Sequence, residues 1–124
     1  MDILSIQPHD REVEFVNPAT EKGTGFFLQL RNPYSEEVQA ADRKWRNNLF
    51  AKRKLKMTAE MQESALETKI IATVSGWRFE GDASIGGEKP KFSPAALREL
   101  IRKSPWIKDF LDREIGDTEG FFTI

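Results

Sequence analysis

Two Ser-Pro pairs, Ser93-Pro94 and Ser104-Pro105, constrain this chain more than any other feature. A serine at a helix N-cap accepts a hydrogen bond from an orphan backbone N–H. Proline at the next position has no N–H to leave unsatisfied, and its φ is already helical. The two pairs therefore predict two short capped helices. Leu97, Leu100 and Ile101 mark one face of the first, and Phe92 and Leu97 stand at the two positions of a hydrophobic staple. Trp106, Ile107, Phe110, Leu111 and Ile115 mark the second at helical spacing, and Gly116 is placed to end it. Residues 76–115 read as one supersecondary unit. A preceding helix ends at Gly76, Trp77 and Phe79 alternate like a short strand, and a flexible polar loop over 80–91, punctuated by Gly81, Gly86 and Gly87, leads into the first Ser-Pro pair.

The N-terminal part has a different period. EVEFV at 12–16 and FFLQLR at 26–31 are strand-like, and the turn formers NPATEKGTG lie between them. This predicts a β-hairpin, or two antiparallel strands with a looser loop. Two strands alone are marginal, so a third strand or helices must cover them, and residues 3–6 are a candidate third strand. NPYS at 32–35 ends the sheet, with Ser35 as N-cap and Glu36 and Glu37 in a first turn whose dipole favours them. Val38, Ala41, Trp45 and Leu49 form an apolar stripe on that helix, which fades in the basic run at 51–56. Thr58 caps a second helix, polar at its front and apolar on most sides from Ile70 to Val74. The expected fold is a single α+β domain over 1–124: a small antiparallel hairpin or sheet (1–33 β-rich) packed against about four helices (35–124 helical).

The 124 residues suffice for one core, and 31% charged with 39% hydrophobic is an ordinary soluble balance. A net charge of −1 gives no global attraction to nucleic acid or membrane. Without cysteine there is no disulfide, thiolate metal site or cysteine nucleophile. MDILSIQPHD has neither a basic n-region nor an apolar h-region, so no signal peptide is expected, and no apolar run approaches a membrane span. The single histidine, His9, lies in a flexible start; no spacing of His or carboxylates suggests a metal site, and Glu60, Glu63 and Glu67 read as an exposed helix face. The glycines at 81–87 lack the strand-to-helix context of a phosphate loop. The expectation is a non-enzymatic protein with no cofactor and no metal.

Two sets of residues remain as interaction candidates. Trp77, Phe79, Trp106, Phe110, Phe121 and Phe122 are aromatic anchors for a protein partner, each with core packing as the alternative. The C-terminal DTEGFFTI is either docked on the core or free for a partner. Arg43, Lys44, Arg46, Lys52, Arg53, Lys54 and Lys56, interleaved with Trp45 and Phe50, form a basic stretch of the kind that binds nucleic acid. A solvated helix face is the plainer reading, because 20 acidic residues balance 19 basic ones and Trp45 belongs to the apolar stripe.

The order of these elements resembles the tail assembly chaperones of long-tailed bacteriophages. The resemblance rests on the early strand pair, NPYSEEVQAADRKWRNN, the helix ending VSGWRF, then KFSPAALRELIRKSPWIKDFL and the aromatic close EGFF, over residues 12–122. It implies a non-enzymatic assembly factor of the host cytoplasm, absent from the mature virion. Such a factor binds the long helical tape measure protein and helps the tail tube protein assemble around it. No residue-level site carries over. A nucleic-acid-binding accessory protein using 43–56 and a structural virion component are the other readings.

Overall fold

The computed structural model describes residues 1–51 and 58–122. Three strands, β1 (Arg11–Val16), β2 (Gly23–Leu30) and β3 (Val74–Phe79), form an antiparallel sheet in the order β1-β2-β3. Four helices complete the α+β fold: α1 (Glu36–Ala51), α2 (Ala59–Thr73), α3 (Pro94–Lys103) and α4 (Pro105–Ile115). The helices α2, α3 and α4 cover one face of the sheet, and α1 packs on α2.

The pairing register sorts the sheet into two faces. Val13 stands opposite Leu28, Leu28 opposite Trp77, and Phe26 opposite Phe79, all on the helix side. Leu28 and Leu30 of the central strand are fully enclosed. They meet Ile70, Val74, Leu97, Ile101 and Leu111 in one continuous core. Phe15 and Phe110 join β1 to α4 edge to face, with centroids 5.2 Å apart. The other face carries Glu12, Phe27 and Arg78. There the Arg78 guanidinium lies 4.0 Å over the Phe27 ring and reaches across β2 to Glu12 at 2.7 Å.

The third strand is not the one expected. Residues Ile3–Ser5 form a 3-10 turn, with Asp2 Oδ1 accepting from Leu4 N–H at 3.0 Å. The strand that completes the sheet is β3, which contains the short strand expected at Trp77 and Phe79 and extends it back to Val74, so residues 35–124 are not helical throughout. It follows α2 without a loop, and Gly76 lies inside it rather than at a helix C-terminus. The reason is non-local. The end of β2 supplies the donors that the last turn of α2 needs: Arg31 N–H donates to Thr73 O at 2.7 Å and its guanidinium to Ala72 O at 2.8 Å. Val74 is then free to turn extended. Gly76 sits opposite Gln29, whose Oε1 would lie 2.7 Å from an added Cβ.

Most predicted caps are present. Thr58 Oγ1 accepts from Met61 N–H at 3.2 Å, Ser93 Oγ from Ala96 N–H at 3.0 Å, and Ser35 Oγ from Val38 N–H at 3.4 Å. Ser104 departs from expectation. Its side chain makes no capping bond, because this one residue both closes α3 and opens α4. It works through its backbone, donating to Leu100 O at 2.9 Å and accepting from Ile107 N–H at 2.9 Å.

Residues 80–91, read as a flexible polar loop, are pinned to the body. Ala83 is buried, Ile85 pairs with Glu88 in an isolated bridge, and Trp77 Nε1–H donates to Pro90 O at 2.9 Å. The C-terminal turn (Glu119–Phe121) is docked. Phe121 is fully enclosed beneath Arg11, 5.0 Å from its ring, and its carbonyl accepts from His9 N–H at 2.6 Å. The start of the chain is thereby tied down at His9.

Leu28→Ala removes the centre of this core and should lower unfolding free energy by about 2–5 kcal/mol. Phe50→Ala, at a side chain 80% exposed, should change it by less than about 0.5 kcal/mol. Urea unfolding followed by tryptophan fluorescence checks both.

Candidate partner-binding surface

The six aromatic candidates do not share one surface. Phe110 and Phe121 are core residues, 5% and 0% exposed, so neither can reach a partner. Trp77 and Phe79 are half-buried in an aromatic cluster with Phe26 and Phe92, in which Trp77 meets Phe92 edge to face at 5.2 Å. Trp106 and Phe122 are exposed. Trp106, expected on the apolar face of α4, lies in its first turn and is 54% exposed. The buried stripe is Ile107, Phe110, Leu111 and Ile115.

What the fold does assemble is an open cleft of about 600 Å³ between α1, α2 and the end of α4. Val38, Ala41 and Trp45 line it from α1, Ala65, Leu66 and Thr68 from α2. Ile115 and Thr118 close one end, and Tyr34 stands at the rim. Its existence follows from α1. Val38 is the one buried residue of this helix, and Ala41, Trp45 and Leu49 of its apolar stripe are only half covered. An amphipathic helix whose stripe stays half open leaves apolar surface available to a further element.

The entry to α1 holds the rim in place. Asp10 Oδ1 accepts from both the backbone N–H and the side-chain amide of Asn32, at 2.8 and 3.0 Å. Asn32 Oδ1 in turn accepts from Tyr34 N–H at 3.0 Å, and Gln39 Nε2 donates to Pro33 O at 2.8 Å. The Tyr34 ring is thereby turned to solvent, 60% exposed, and meets Phe122 with centroids 6.2 Å apart. The stripe on α1 was visible in the sequence. Tyr34, Ala65, Leu66 and Ile115 were not recognisable as its companions, because no short-range pattern connects positions 34, 65 and 115.

Of the basic stretch, Arg43, Lys44 and Arg46 lie on α1, and Lys52, Arg53, Lys54 and Lys56 lie outside the described residues. Arg43 pairs with Glu36 at 2.8 Å and Arg46 with Asp42 at 2.9 Å, both on the exposed surface. Two of these cations thus already have carboxylate partners. Glu67, expected on an open helix face with Glu60 and Glu63, is instead half-buried. It accepts from Arg102 Nη2 at 2.8 Å and Arg98 Nε at 3.1 Å, clipping α2 to α3. The hydrogen bonds from Arg102 hold its carboxyl below the usual carboxylate range, and burial opposes them. Among the described residues no group of three or more His, Asp or Glu is arranged to hold a metal ion, and no helix is long and apolar enough to cross a membrane. No family model matches this chain, and no curated protein and no solved structure matches it.

Because the Glu67 carboxyl is more acidic when folded, its contribution is present above the ordinary value of 4.5 and is lost as pH falls through the lowered one. Glu67→Gln should therefore cost up to about 1 kcal/mol at neutral pH. The difference from wild type should vanish in acid, as measured by urea unfolding across that range.

Proposed function

We propose that the protein is a tail assembly chaperone of a long-tailed bacteriophage, which holds the tape measure protein while the tail tube protein assembles around it. It acts by binding, without chemistry, in the host cytoplasm, and does not remain in the mature virion. The observation that carries this reading is the open cleft between α1 and α2, in which Val38, Ala41, Trp45 and Leu66 offer apolar surface beside the polar Gln39, Asp42, Thr68 and Lys69, with the exposed Tyr34 ring at its rim against Phe122. A groove of this kind accepts the apolar face of an amphipathic helix, with side chains at i, i+3 or i+4 and i+7 as anchors. A long helical client presents many such faces. The order of motifs from the strand pair through the two Ser-Pro helices to EGFF supports the same assignment by resemblance. The ion pairs of Arg43 and Arg46 weigh against nucleic acid as the partner, since phosphate binding would have to compete with Glu36 and Asp42.

Co-expression with a tape measure protein of a long-tailed bacteriophage tests the reading. The expected result is a soluble complex whose affinity falls about tenfold or more in Tyr34→Ala or Trp45→Ala. Trp106→Ala, at an exposed residue outside the cleft lining, should leave it unchanged. Absence of any soluble complex with the wild type overturns the reading, and finding the protein in purified particles replaces it with a structural virion role.

A further inference from the structure

One end and the rim of the cleft are built from two turns that come from distant parts of the chain. Pro33 and Tyr34 arrive from the entry to α1, Gly116 and Thr118 from the exit of α4. Three consecutive residues, His9, Asp10 and Arg11, hold both. Asp10 Oδ1 accepts from the backbone and side-chain N–H groups of Asn32, which sets the first turn. His9 N–H donates to Phe121 O at 2.6 Å, and Arg11 Nη2 donates to Glu114 O and Glu114 Oε2, both at 2.7 Å, which sets the second. The C-terminal turn sits directly on the guanidinium: a Cβ added at Gly120 would collide with Arg11 Nη1. Its two phenylalanines divide between the halves, Phe121 enclosed under Arg11 and Phe122 against the Tyr34 ring. The seat also has an opposing element. Among the described residues, Arg11 Nε is a buried side-chain nitrogen without a hydrogen-bond partner. A buried donor left unmade keeps its desolvation cost in the docked form, and undocking returns that N–H to water.

We propose that His9, Asp10 and Arg11 form a clasp with two states, in which the docking of the C-terminal turn and the placement of α1 against α4 change together. Shut, the clasp holds the Tyr34 rim and the Thr118 end of the cleft at the observed spacing. Open, Phe121 leaves its seat, Tyr34 loses Phe122, and α1 is free to shift on α2, which widens the cleft. Both halves are suited to such a step. The turn is short and encloses one side chain, Phe121, and α1 rests mainly on α2. Elements of this kind open at lower free energy than the core. Because they share one support, each biases the other to the same degree. The clasp goes beyond the proposed function: it sets the width of the cleft whatever occupies it, and no ligand is needed to test it.

Crossed substitutions in the full chain test this. The chain has no cysteine, so Lys44→Cys on α1 and Arg113→Cys on α4, both exposed, accept a pair of nitroxide labels at defined positions. Double electron–electron resonance then reads the distance between α1 and α4. Lys22→Cys with Asp109→Cys, also exposed, reads the sheet against α4. With no further substitution, a second and longer α1–α4 distance should account for less than about a tenth of the molecules. Arg11→Gln, at a residue whose contacts are with α4 and the C-terminal turn, should raise that share to about half or more and leave the sheet–α4 distance unchanged. Conversely, Asn32→Ala at the entry to α1 should speed amide exchange at Phe121 and Phe122 about tenfold. Glu67→Gln, which weakens the α2–α3 contact away from the clasp, should move neither reading. If Arg11→Gln fails to fold, Gly120→Val replaces it by pushing the turn off the guanidinium. An α1–α4 distance that ignores the loss of the Arg11 seat overturns the proposal, and so do turn amides that ignore Asn32→Ala. Either result leaves two independent anchors in place of a clasp.

Discussion

The passage from α2 into β3 with no intervening loop is the constraint on which the architecture depends. A helix end exposes carbonyls that need donors, and here the donors come from Arg31 at the end of β2, through its backbone and its guanidinium. That arrangement fixes three things together. It places β3 beside β2, so β2 becomes the central strand. It sets the C-terminal half of α2 over the sheet, where Ile70 and Thr73 are enclosed. It also leaves the N-terminal half of α2 to project past the sheet, where α1 is its neighbour and coverage is thin.

Arginines then hold the pieces in register, with unequal effect. Arg78 reaches Glu12 and Glu80 on the open face of the sheet, where its pairs are screened by solvent and contribute little. Arg11 is better placed. It donates to both the backbone and the carboxylate of Glu114 at 2.7 Å, and its guanidinium lies over the Phe121 ring, with its side chain only 20% exposed. Cation–π contact and charge-assisted hydrogen bonds in a partly dry setting exceed a surface ion pair. Arg11 therefore joins β1, the end of α4 and the C-terminal turn. This explains why Phe121 docks while Phe122, one residue on, remains at the surface.

What could be read in advance divides along the distance over which each feature is determined. Ser35, Thr58 and Ser93 announce helix starts because a cap is settled within four residues. The strands at 12–16 and 26–31 were legible because alternation is local. Ser104 was misread because its hydroxyl has no free position to take up when a single residue joins two helices. Gly76 looked like a helix terminator, and only pairing with Gln29, distant in sequence, makes it a strand residue. The same limit hid the cleft. Its apolar stripe on α1 was visible, but its depth depends on where Ala65, Leu66 and Ile115 arrive, and that is decided by the α2–β3 junction.

The distribution of burial carries the functional argument a step further. The sheet, α3, α4 and the second half of α2 form a closed core, whereas α1 rests mainly on a neighbour that is itself half covered. Regions with few buried contacts open at lower free energy than the core they are attached to. A binding element built this way can adjust its helix spacing to the side chains that enter it, while the rigid body keeps the cleft floor at Ile115 and the Tyr34 rim in position. Tolerance of varied apolar faces combined with a fixed anchor is what the proposed role, holding a long helical partner, would demand.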